Sequence, residues 1–348
     1  MMTETSPRQP DPAILSDWVH ETVSPSLRFG ESIDSVSWSR SKFSSSYDCF
    51  VIDVQISTDR RIKLLLKDFG YSRLLKDDPD KRRDRELYTY RDLLSEAGLG
   101  TARYYGSIWD SPNDRHWLLL EFVEGVEVRS LPLEYWVAVV GWLGKLHGKF
   151  AQQREMLAQM DFLIRRDTDY YQAKAQEALT IATAVAPSLS VRIESLVRCF
   201  TRVIPDIACL PRTLVHGSIG APQIIVDSDV VPMRIAPVDW ESATYGSGFQ
   251  DVAKFTDGFE PPLLDEMFEV YVREAGEHGL IVDRREMGRP VDSFRLLRMI
   301  NGLAQARRKS YTLKDVTKVL NHGEAILQSL LHQPGRTTSN GARLHAES

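Results

Sequence analysis

The prevailing period of the apolar residues changes near Gly125, and that change limits what the chain can fold into. Before about residue 122, one helical stretch apart, they alternate with polar ones, as on strands with one buried face. Beyond Gly125 they recur every third or fourth position, as on helices. Strands are expected at Asp34–Arg40, Cys49–Ser57 and Arg61–Phe69, the last with Ile62, Leu64 and Leu66 on one face and Lys63, Leu65 and Lys67 on the other. A helix opens at Asp78-Pro79-Asp80, with Leu87, Tyr90, Leu93 and Leu94 on its apolar side, and Gly98 and Gly100 end it. Arg103–Trp109 and His116–Phe122 read as two more strands around the turn at 111–114. Helices follow at Leu133–Phe150, Tyr170–Val185, Ser190–Val203, Pro261–Glu277, Val291–Lys309 and Leu313–Leu331, interrupted by one hairpin of Ile224–Val226 with Ile235–Val238. The expectation is an α+β chain with a β-rich lobe over 13–123, a helical lobe over 124–332, and loose tails at 1–12 and 333–348.

Composition excludes several classes of function. A formal net charge of -5 leaves no global basic field for nucleic acid or an anionic membrane. Apolar runs such as Trp117–Leu120 are too short to span a bilayer, and the first residues carry no apolar signal segment. Cys49, Cys199 and Cys209 have no paired spacing, and the histidines do not cluster. That pattern predicts a reducing, cytoplasmic setting with no disulfide framework and no zinc site. Nothing in the chain specifies an oligomeric state.

Four places carry chemistry. Lys67 ends an apolar strand, where its charge can reach into a cleft and meet phosphate oxygens. Glu86 shares a helix face with Tyr90 and Leu93, so it lies on the apolar side and can fix that lysine. The stretch 39–46 sits between two strands and is rich in serine, with Ser44 and Ser45 placed to contact phosphate through hydroxyls and backbone N–H groups. Asp239 follows a strand and can bind Mg²⁺, whereas Asp251 reads as a helix cap.

His216-Gly217-Ser218, the hairpin after it, Asp239-Trp240-Glu241 and the stretch from Gly248 to Ala253 resemble the core of the aminoglycoside phosphotransferase and choline kinase group. The segment from Leu118 to Gly125 resembles that group's hinge, and Leu143-Gly-Lys-Leu-His147 resembles its L-x-x-L-H helix. The resemblance runs over roughly residues 30–330 in order and spacing. It implies a bilobal protein-kinase-like fold with ATP and Mg²⁺ as cofactors and a small molecule as ligand or substrate. It also implies roles: Lys67 on the ATP phosphates, Glu86 as its partner, Glu121, Phe122 and Val123 at adenine, and Asp239 on the metal.

Two positions depart from the family's H-G-D-x-x-x-x-N. Ser218 stands in place of the aspartate that accepts the substrate proton, and Gln223 in place of the metal-binding asparagine. Loss of a positioned base costs roughly 10²–10⁴ in rate. A displaced ligand atom costs on the order of 100-fold. No carboxylate lies between the two positions, leaving His216 or Glu241 as substitutes for the base. Because phosphoryl transfer relies on positioning and electrostatics, slow turnover still fits. The readings are a nucleotide- or ligand-binding protein with weak or absent transfer, an active phosphotransferase with an unusual loop, and a scaffold without nucleotide.

Overall fold

The computed structural model describes residues 9–42, 46–72 and 77–332, apart from the side chains of Tyr71 and His332. Ser44, Ser45, residues 1–8 and the tail from residue 333 lie outside the described residues. The chain forms two compact units. One comprises Met1–Arg165, Arg212–Asp251 and Glu260–Ile281, and the other Arg166–Pro211, Val252–Phe259 and Val282–Ser348. The strand-to-helix change near residue 124 lies inside the first unit.

The first unit begins with a helix that alternation did not reveal, α1 (Pro12–Val23). Asp11 caps it by accepting from the N–H groups of Ala13 and Ile14, with Pro12 in the first turn. Leu15, Val19 and Val23 recur at helical spacing and pack on a five-stranded antiparallel sheet. That sheet contains β1 (Ile33–Arg40), β2 (Tyr47–Ile56), β3 (Arg61–Ser72), β4 (Tyr104–Asp110) and β5 (Arg115–Glu121), ordered β1-β2-β3-β5-β4. Its back face holds Phe50, Ile52, Val54, Leu64, Leu66 and Leu119, so Leu65 and Lys67 face the other way, as period-2 alternation requires. Full burial of such a side chain contributes about 1.5–3 kcal/mol. α2 (Pro79–Tyr88) runs on into a π-helical segment, Thr89–Leu94.

Two three-stranded sheets complete the strands. In one, β9 (Ile224–Asp227) lies between β6 (Val126–Glu127) and β10 (Arg234–Pro237). In the other, β11 (Thr244–Gly246) lies between β7 (Ile164–Arg165) and β8 (Thr213–Val215). Helices α3 (Leu133–Ala151), α4 (Arg154–Gln159) and α8 (Leu263–Glu277) belong to the same unit. Gly144 and Gly148 let α3 approach α8, since a Cβ on either would sit 2.7 Å from the carbonyl oxygen of Tyr271 or Ala275.

The second unit packs α5 (Thr168–Val185), α6 (Ser190–Ala208), α9 (Gly288–Ala304) and α10 (Leu313–His332). Tyr171, Ile193, Phe200, Phe294 and Leu320 form part of its core. α6 continues past its expected end at Val203, through Pro205, and α9 stops at Ala304 rather than Lys309. α7 (Phe249–Phe255) starts in the first unit and ends in the second. No described helix is long and apolar enough to cross a membrane.

Candidate functional site

A cavity of about 440 Å³ opens in the first unit, within the usual range for small-molecule sites. Leu65, Ala102, Leu120, Ile225 and Val238 supply apolar walls. Cys49 is part of the same wall, and burial pushes its thiol up to about 11, so the thiol stays neutral. Lys67, Glu86, Asp239, Gln223 and Lys42 line the polar parts.

Three of the residues singled out from sequence meet here. The Lys67 Nζ donates to Glu86 Oε2 at 2.6 Å and to Asp239 Oδ1 at 3.1 Å. It also lies 5.1 Å from the ring centre of Phe69 and 5.7 Å from that of Tyr47. Glu86 is 2% exposed, and burial pushes its carboxyl up while the lysine draws it back. Burial alone would depress Lys67, but Glu86 and Asp239 hold it well above its ordinary value, so it remains a cation. Asp239 is 40% exposed and keeps a carboxylate edge toward solvent.

Helix spacing explains how α2 serves this cluster. Glu86 and Tyr90 lie four residues apart and both line the cavity. Tyr90 is buried beside this cluster, and burial holds its hydroxyl well above its ordinary value. Arg85 turns the other way, donating to the carbonyls of Phe162 and Glu241. Asp239 itself has φ 70°, a left-handed conformation that costs a non-glycine residue on the order of 1 kcal/mol or more. The next residue anchors it: Trp240 is fully buried, donates its indole N–H to Pro237 and packs 4.5 Å from the ring of His216.

The loop after β8 is held from below. Asp251 is 1% exposed and accepts from the N–H groups of His216 at 2.7 Å and Gly217 at 3.0 Å. Burial would raise this carboxyl, yet His147, His216 and the Gly217 N–H hold it below its ordinary value. Asp251 therefore clamps the loop and is not the helix cap expected from sequence. Its partners lie 34 and 35 positions away, so local sequence carried no signal for them. His216 is 0% exposed. Its Nε2 donates to the Val238 carbonyl at 3.0 Å, which leaves Nδ1 as an acceptor 3.5 Å from Ser218 Oγ.

The remaining candidates divide between the cavity and its surroundings. Glu121, Phe122, Val123 and Gln223 line the cavity, but Ser218 and His216 do not. The N–H groups of Glu121 and Phe122 already donate to Arg103 and Lys63, at 2.8 and 3.1 Å. The Gln223 side-chain oxygen lies against Gly220, 3.1 Å from where a Cβ would stand. Glu241 pairs with Arg82 at 3.2 Å. Sequence reasoning missed Lys42 and Tyr90 as lining residues, although the serine-rich stretch containing Lys42 had been singled out. An apolar slot ending in a cation between two carboxylates suits a flat ring joined to a polyanion that brings a divalent metal.

A family model described as the APH phosphotransferase enzyme family matches residues 54–288. No curated protein matches the sequence. An assigned aminoglycoside phosphotransferase of Ralstonia eutropha JMP134 superposes with a TM-score of 0.62 at 14% identity, covering 92% of this chain and 98% of that one. Choline kinase from Cryptosporidium parvum gives 0.60 at 10% identity, with 93% and 97% covered. The GDP and kanamycin complex of APH(2")-IIIa gives 0.56 at 12% identity, with 89% and 99% covered. At these identities the likeness is one of fold. With more than half its length matched by the family model, this chain belongs to the APH phosphotransferase enzyme family and has its mixed α+β, protein-kinase-like fold.

Proposed function

We propose that this protein binds a nucleotide with Mg²⁺ in the cavity and transfers phosphate to a small molecule slowly or not at all. The observation that carries this reading is the Lys67–Glu86–Asp239 cluster at the polar part of an apolar slot. Lys67 would meet phosphate oxygens, with Glu86 keeping its ammonium in place. The donor set fits Mg²⁺ modestly: Asp239 offers a half-exposed carboxylate and Gln223 a neutral amide, and phosphates and water supply most of this ion's other ligands. At the other end, Glu121 and Phe122 have their N–H groups committed, so a base would donate to carbonyls there and accept from Val123 onward. A neighbouring fold solved with GDP and kanamycin supports a purine nucleotide and a small-molecule acceptor.

The weak-turnover half of the proposal rests on the loop. Ser218 brings no carboxylate, His216 is enclosed by Trp240 and Val238, and Glu241 is tied to Arg82. A working phosphotransferase is the second reading, favoured by the assembled Lys67–Asp239 contact and by the small demand of phosphoryl transfer for covalent help. Thermal-shift titration with ATP and Mg²⁺ tests binding. Wild type should gain about 2.7 kcal/mol at a hundredfold excess over Kd, and Lys67→Ala should lose that gain. No shift at millimolar nucleotide would remove the proposal.

A further inference from the structure

The cavity's base end is bordered by a network whose central residue does not line the cavity. Arg234, at the start of β10, donates from both terminal nitrogens to the Glu121 carboxylate at 2.6 and 2.7 Å. Its Nε donates to Gly100 at 2.7 Å, and a terminal nitrogen also reaches Thr101 at 3.1 Å. Glu121 accepts the Arg103 N–H as well, at 3.1 Å. The segment after Glu121 is fastened again by backbone, where Val126 and Glu127 pair with Val226 and Ile225. Gly125 makes that approach possible: its φ is 121°, and a Cβ there would lie 2.3 Å from the Val226 carbonyl oxygen. Phe122, Val123 and Glu124 thus span two attachments to the β9–β10 hairpin. Ile225 of that hairpin and Val238 just beyond it line the same cavity.

We propose that Arg234 is a positioning residue for the base-binding end of the cavity. It holds the Glu121–Val123 edge and the Gly100–Ala102 turn at a set separation from Ile225 and Val238. The role rests on the nucleotide reading above. Its side-chain hydrogen bonds to Glu121, Gly100 and Thr101 all use the planar guanidinium fork, which a lysine ammonium cannot reproduce.

Calorimetric titration of wild type, Arg234→Lys, Glu121→Gln and Lys67→Ala with adenosine, and with ADP plus Mg²⁺, tests this alongside melting temperatures. Arg234→Lys and Glu121→Gln should each lose roughly tenfold for adenosine and by the same factor for ADP. Their melting temperatures should stay close to wild type. Lys67→Ala should lose affinity for ADP alone. Unchanged adenosine affinity in both network variants, or a loss that follows a large fall in melting temperature, would overturn the role. Wild-type protein that binds neither ligand would instead sink the nucleotide reading, and this role with it.

Discussion

The Lys67–Glu86–Asp239 cluster and the loop from His216 to Gln223 belong to one unit and are built by different means. In the cluster, charged side chains meet each other at 2.6 and 3.1 Å and face a cavity. In the loop, the buried carboxylate of Asp251 grips backbone N–H groups, and Ser218 lies off the cavity. The grip of Asp251 on the loop is therefore on its backbone and not on the side chain at Ser218. The Asp251 clamp needs no carboxylate at Ser218, whereas loss of Glu86 leaves Lys67 with Asp239 as its remaining carboxylate partner.

Breaking the cluster should have the largest effect. Glu86→Ala leaves a nearly buried ammonium with Asp239 as its remaining carboxylate, and removing one partner of such a pair costs about 3 kcal/mol or more. Urea unfolding measures this. A loss below about 1 kcal/mol would mean that the pair is no better held than a surface contact. Asp251→Asn should cost somewhat less, about 2–3 kcal/mol, because an amide can still accept one of the two N–H groups. Asp251 titrates lower in the folded than in the unfolded chain, so the native state holds fewer protons there. Its contribution is complete above about pH 4 and fades as pH falls through the folded value. Wild type should therefore lose stability as pH falls below the ordinary carboxylate value of about 3.9, by more than Asp251→Asn does. Equal losses would deny the loop its charged clamp.

How much of this was legible in the sequence follows the range of each interaction. Lys67 was legible because strand alternation puts Leu64 and Leu66 in the core and turns Leu65 and Lys67 to the opposite face. Glu86 was legible from its i+4 and i+7 neighbours, both buried beside it. The cap Asp11-Pro12 and the spacing Leu15, Val19, Val23 were equally readable, but they adjoin a polar start and their partner face lies in the sheet. Asp251 and Arg234 were not readable. One reaches back 34 and 35 positions to its N–H donors, and the other spans 113 positions to Glu121. Motif spacing singled out Ser218, which in the structure stands beside His216 at 3.5 Å and is not among the residues lining the cavity of Lys67 and Asp239.

The central claim is that the nucleotide half is competent and the loop's side chains limit turnover. Single-turnover phosphate release from Mg²⁺-ATP, compared between wild type and the double variant Ser218→Asp with Gln223→Asn, tests it most directly. The account predicts a rise of about 100-fold or more in the double variant, the effect expected of a restored base, with ATP affinity little changed. A double variant no faster than wild type, while binding ATP equally well, would contradict it.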